Sequence, residues 1–256
     1  MMRTRANPRK GVFVLPNLLT TAAMFSGFFA LIKSVEGDYA LASVAVLVAL
    51  VFDGLDGRVA RLINAETDFG AEYDSISDVI AFGLAPAVLT HQWALGPFGN
   101  VGWLGGFLFT ACAGLRLARF NTQSAVKDKR YFQGLPAPAA AATLVTWVLF
   151  VEETGLTGVW VNVAALFGVY ALALLMVSNI RFRSFKDADL RHRVPFPAAV
   201  LIVGVLILVA IHPPLVLFGF FFLYALAGPV DTMRQLRHKR HQRRERTKVD
   251  SQGPEQ

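Results

Sequence analysis

"FDGLDGRVARLINAETDFGAEYDSISDV", residues 52–79, sets four aspartates, Asp53, Asp56, Asp74 and Asp78, where one long apolar run ends and the next begins. With about 100° of rotation per helical residue, Asp53, Asp56, Gly57 and Ala60 share one stripe, two carboxylates followed by two residues with almost no side chain. Gly70, Asp74, Asp78 and Ala81 make a similar stripe on the following run. A connection of about a dozen residues favours antiparallel neighbours, so the two acidic stripes can face each other.

Four carboxylates gathered in this way cannot all stay ionised and unpaired, since two unit charges about 4 Å apart repel by about 4 kcal/mol at an effective dielectric near 20. The remedies are protonation, pairing with Arg58 or Arg61, or divalent cations. Two guanidiniums balance two carboxylates at most, and Arg58 projects roughly 140° away from Asp53 on the same helix. Two divalent ions balance all four, and an all-oxygen donor set selects Mg2+, Mn2+ or Ca2+ over zinc. An EF-hand does not fit, because "DGLDGRVARLIN" lacks the alternating ligands that its loop needs. Glu66, Asp68 and Glu72 read as helix-capping charge.

Outward from this stretch the chain is apolar. Of its 256 residues 54% are hydrophobic and only 17% charged, against about 25% charged in a soluble domain. Runs of about 17 to 25 apolar residues predict eight spanning helices: Leu15 to Ile32, Tyr39 to Ala60, Ser75 to Ala94, Val101 to Ala118, Pro136 to Val151, Val159 to Val177, Pro195 to Ile211 and Pro214 to Val230. The fold expected is therefore an all-α integral membrane protein. A basic segment (1–14), a transmembrane domain (15–230) that holds the acidic stretch, and a basic, disordered tail or frayed helix extension (231–256) divide the chain. The first run reads as a span rather than a cleaved signal, since "FFALIKSVEG" is a poor cleavage context.

Charge sorts the same way. With both termini cytoplasmic, 24 of the 25 Lys and Arg residues lie at or beyond inner helix ends, and only Lys33 falls outside. The acidic stretch is then cytoplasmic as well. The C-terminal basic run reads as a topology anchor touching anionic lipid, not as a nucleic-acid site. Cys112, the single cysteine, excludes an intrachain disulfide and a Cys-rich metal site.

The pattern D-x-x-D-G-x-x-A-R-x8-G-x3-D-x3-D is met by Asp53, Asp56, Gly57, Ala60, Arg61, Gly70, Asp74 and Asp78, eight specified residues over 26 positions. It resembles the signature of the CDP-alcohol phosphatidyltransferases. That resemblance implies a six-helix core, a homodimer, and two metal ions, Mg2+ or Mn2+, on the four aspartates. It also implies Asp78 as general base and a CDP moiety lying against Gly57 and Ala60, with Arg61 and Gly70 in the same signature.

Other stretches bear on the acceptor alcohol. "LPNLLTT" (15–21), "SDVIAFGLAPA" (77–87), "RLARFN" (116–121) and "FQGLPAPAAAA" (132–142) resemble the bacterial phosphatidylserine synthases of that superfamily. "YDSISDV" departs from the "LDPxADK" typical of phosphatidylglycerophosphate synthases. The resemblance implies CDP-diacylglycerol and L-serine as substrates. Serine needs a cation for its carboxylate, for which Arg116 and Arg119 are candidates, although positive-inside anchoring also explains both. Asn17 and Thr20, spaced three apart, are candidates for the nucleotide phosphate or metal-bound water, and Asn17 also suits an N-cap. "FQGLPAPAAA" is open between helix packing through small residues and lining the substrate. Choline is the rival acceptor, but it would leave the two arginines without a task. An ion-coupled transporter is the rival of another class, disfavoured by carboxylates confined to one membrane face and by the absence of an inverted repeat.

Overall fold

The computed structural model describes residues 14–63, 65, 67–123, 131–183, 204, 208 and 211–250. The chain opens with a helical hairpin. Helix α1 (Val14–Glu36) turns into α2 (Tyr39–Leu62) through Gly37, whose φ of 85° suits a residue without Cβ, and Asp38, whose side chain accepts from Leu41 N at 3.1 Å and caps α2. Thr67 caps the next helix in the same way, accepting from Gly70 N at 3.0 Å.

That helix, α3 (Asp68–Phe98), starts seven residues before the Ser75 expected from hydropathy, because polar residues with a good cap extend an apolar helix at little cost. The connection to α2 shrinks accordingly to residues 63–67. Within α3, wide π turns at Val79–Leu84 and His91–Leu95 interrupt the α-helical turns, the first of them directly after Asp78. α3 crosses α1 closely: a Cβ on Gly27 would stand 2.6 Å from Ala81 Cα.

Helix α4 (Asn100–Gln123) and α6 (Val159–Val177) pack together, with Gly105 of α4 accepting the ring face of Tyr170, whose hydroxyl donates to Val101 O at 3.0 Å. Between them in sequence come strand β1 (Tyr131–Gln133) and helix α5 (Ala137–Thr154). α5 is the central helix: Ala140, Ala141, Leu144, Val145 and Val148 are buried against α2, α3 and the last helix. Its small residues suit a helix enclosed by others. Strand β2 (Arg181–Arg183) pairs antiparallel with β1, Phe132 opposite Phe182.

The last helix, α7 (Pro213–Asp250), continues through the basic segment. Of the two readings of the tail from residue 231, this is the helix extension, as far as Asp250, since Arg, Lys, Gln and Glu propagate a helix already nucleated.

Among the described residues six helices are long and apolar enough to cross a membrane: α1, α2, α3, α4, α6 and the Pro213–Thr232 part of α7. α5 is the short, buried exception, and the span expected at Pro195 to Ile211 lies almost wholly outside the described residues. Large apolar side chains such as Phe25, Phe28, Phe107 and Phe167 point outward and exposed, as helices solvated by lipid require. The chain is a multi-pass membrane protein, and among the described residues it is helical apart from one two-stranded ribbon.

Candidate active site

The alternating helices bring every candidate side chain to one end of the bundle. The start of α1 supplies Asn17 and Thr20, the end of α2 supplies Asp53 to Arg61, the start of α3 supplies Gly70 to Asp78, and the end of α4 supplies Arg116 and Arg119. Cross-helix contacts fix this arrangement. Thr20 Oγ1 donates to Asp56 Oδ2 at 2.7 Å, Ser77 Oγ donates to Thr20 O at 3.2 Å, and Thr21 and Tyr73 share a hydroxyl hydrogen bond of 3.0 Å. A Cβ on Gly70 would lie 3.5 Å from Asn17 Oδ1, an ordinary contact distance that sets the asparagine beside the start of α3.

The two acidic stripes do face each other. Carboxylate oxygens of Asp53, Asp56 and Asp74 lie within 4.8 Å of one another, and the Asp78 carboxyl adjoins that of Asp53. Asp56 and Asp78 are buried. Among the described residues no Lys or Arg forms an ion pair with any of the four; the ion pair found there is Lys33 with Glu36, at the far end. Arg61 lies instead over Gly57, its guanidinium 3.6 Å from where a Cβ would be. Asp74 Oδ1 is buried without a hydrogen-bond partner. An ionised carboxylate only accepts, so such an oxygen calls for a donor or a cation. The donor set, three carboxylates converging with one oxygen unsatisfied, fits a divalent cation of the Mg2+ or Mn2+ class.

The two arginines differ. Arg119 Nη2 donates to Gln133 Oε1 at 2.6 Å and to Asn179 Oδ1 at 2.8 Å, tying the end of α4 to β1 and to the segment before β2. Arg116, one turn deeper, has its Nε buried without a hydrogen-bond partner among the described residues. It stands near Asp78 and near Tyr224 of α7. The Tyr224 ring lies 5.9 Å from the fully buried ring of Phe182, and Gly228 gives that ring its room. Gly134, at φ 81°, follows β1 where a Cβ would strike Met176 O, so "FQGLPAPAAA" begins as a strand and tight turn before α5.

Residues 13–177 match the family model described as CDP-alcohol phosphatidyltransferase. The chain belongs to the CDP-alcohol phosphatidyltransferase family. The CDP-diacylglycerol--serine O-phosphatidyltransferase of Helicobacter pylori is 36% identical over 224 residues, 86% of this chain and 92% of that protein. Its namesake in Mycobacterium bovis is 35% identical over 181 residues, 67% of this chain and 62% of that protein. The archaetidylserine synthase of Methanothermobacter thermautotrophicus is 37% identical over 170 residues, 66% of this chain and 69% of that protein. The phosphatidyltransferase match ends with α6, so Tyr224 lies on a helix outside it.

Five participants escape sequence reasoning: Ser77, Gln133, Asn179, Phe182 and Tyr224. Ser77 carried the one available signal, a polar residue one turn before Ala81 on the face turned toward α1. The other four gain their roles only through partners distant in sequence, Asn179 being 60 residues from Arg119.

Proposed function

We propose that the protein transfers the phosphatidyl group of CDP-diacylglycerol to the hydroxyl of L-serine, releasing CMP and leaving phosphatidylserine. The observation that carries this reading is the convergence of Asp53, Asp56 and Asp74, with Asp78 beside Asp53, at one end of the bundle with no ion pair among the described residues, and Arg116, its Nε buried, next to Asp78. The serine-using relatives support the choice of acceptor.

Asp53, Asp56, Asp74 and Asp78 would hold two divalent ions, Mg2+ or Mn2+, which offset the charge of the pyrophosphate and of the departing CMP. Gly57 and Ala60 form a helix face of small residues on which the cytidine can lie, with the Arg61 guanidinium over Gly57 and with Asn17 and Gly70 at its edges. Arg116 takes the serine carboxylate through charge-assisted hydrogen bonds. Arg119, expected alongside it, is held by Gln133 and Asn179 and serves the reading better as a brace for the acceptor pocket.

Asp78 accepts the proton of the serine hydroxyl. The serine oxygen bonds to the phosphorus that carries diacylglycerol, the bond from that phosphorus to the CMP oxygen breaks, and CMP leaves with the electron pair. Catalysis is mainly positioning and charge stabilisation. The site lies on the cytoplasmic side of the inner membrane, with both termini, by the distribution of basic residues. The active form is a homodimer, residues 15–230 being its catalytic unit.

Purified protein in mixed micelles with CDP-diacylglycerol, Mn2+ and labelled serine should form one labelled phosphatidylserine per CMP, and EDTA should stop both. Absence of labelled lipid under these conditions refutes the reading.

A further inference from the structure

Thr20 is only 4% exposed, yet its hydroxyl is not available to a substrate phosphate. Oγ1 lies 2.7 Å from Asp56 Oδ2 and 3.1 Å from Pro16 O. A hydroxyl has one proton, and the shorter contact with a carboxylate oxygen is the stronger hydrogen bond, so the proton is committed to Asp56. Asp56 is itself 5% exposed and among the described residues forms no ion pair, Arg61 acting on it only from a distance. From the third helix Ser77, 2% exposed, donates to the Thr20 carbonyl at 3.2 Å. One buried chain, Ser77 to Thr20 to Asp56, therefore crosses α3, α1 and α2, the helices whose relative placement decides whether Asp53, Asp56 and Asp74 converge.

We propose that Thr20 is a positioning residue for the divalent-cation site: its hydroxyl holds Asp56 Oδ2, which fixes the carboxylate rotamer and leaves Oδ1 to bind the cation with Asp53 and Asp74. This rests on reading the aspartates as a cation site, and it departs from a direct role of Thr20 on the nucleotide. Hydrogen-bond partners of metal ligands matter because they restrict the ligand to its binding orientation. Thr20 does this from a different helix, so cation affinity reports the docking of α1 on α2. Ser77 makes α3 part of the same assembly.

The test is Mn2+ binding to substrate-free protein in detergent, followed by the electron paramagnetic resonance of free Mn2+. Thr20→Val keeps the shape and removes the donor, and it should weaken Mn2+ by about 10-fold or more. Thr20→Ser restores the donor and should return affinity to near the wild-type value. Ser77→Ala, which loosens only the brace, should show a weakening smaller than that of Thr20→Val. Thermal unfolding without metal verifies that each variant is folded.

Wild-type Mn2+ affinity in folded Thr20→Val, alongside lost binding in Asp74→Asn, overturns the positioning role and leaves the cation site standing. A rise in the CDP-diacylglycerol KM with unchanged Mn2+ affinity overturns it in favour of nucleotide contact. Absence of Mn2+ binding in the wild-type protein overturns both the role and the reading beneath it.

Discussion

Asn in place of Asp78 keeps the side chain's size and one acceptor oxygen but cannot take the serine proton. Turnover should fall by about 10²–10⁴-fold, with the protein still folded; near-normal rates in the CMP-release assay would remove Asp78 as the base. The two arginines separate by a different measurement. Arg116→Ala should raise the serine KM on the order of 10-fold to 100-fold, from a charge-assisted hydrogen bond of about 1.5–3 kcal/mol, and should change the CDP-diacylglycerol KM much less. Arg119→Ala removes two side-chain hydrogen bonds that tie α4 to β1 and to the segment before β2, and should show chiefly as a lower unfolding temperature. At this scale the aspartates were legible because carboxylates inside apolar runs demand a purpose. Arg116 and Arg119 were not separable, since a basic residue at an inner helix end already has a topological explanation. Thr20 was picked out by sequence, but its nearest partner is Asp56, and only the packing of α1 on α2 makes that visible.

The helices depend on a few close approaches. At Gly27 a methyl group would meet the backbone of α3 at Ala81, and Gly27→Ala should therefore destabilise by about 1–3 kcal/mol, seen as a lower unfolding temperature and weaker Mn2+ binding as α3 moves from α1. An unchanged unfolding temperature would show that the crossing relaxes freely. Hydropathy found the spans because lipid demands unbroken apolar runs, but it does not mark where polar residues carry a helix on: α3 begins at Asp68, and α7 runs past its span to Asp250. The β1–β2 ribbon had no signal, as three-residue strands are too short for an alternating pattern and their pairing joins residues 131–133 to 181–183. α5, expected as a span, differs from the others for a physical reason, since its alanines face other helices and not lipid.

At the scale of the molecule, the far end carries the Lys33–Glu36 pair and the Trp93 to Glu152 hydrogen bond of 2.9 Å, while the carboxylate cluster, the arginines and the ribbon occupy the other. This polarity suits a reaction between a lipid held in the bilayer and an amino acid from water. α7 packs on α5 and brings Tyr224 near Arg116, so the helix beyond the matched residues stands beside the end that carries the carboxylates. The most direct test of the whole account is CMP release by the purified protein from CDP-diacylglycerol with Mn2+ and, in parallel, serine, choline or glycerol 3-phosphate. The account predicts release with serine and phosphatidylserine as the lipid product. Release with choline or glycerol 3-phosphate but not with serine would contradict it.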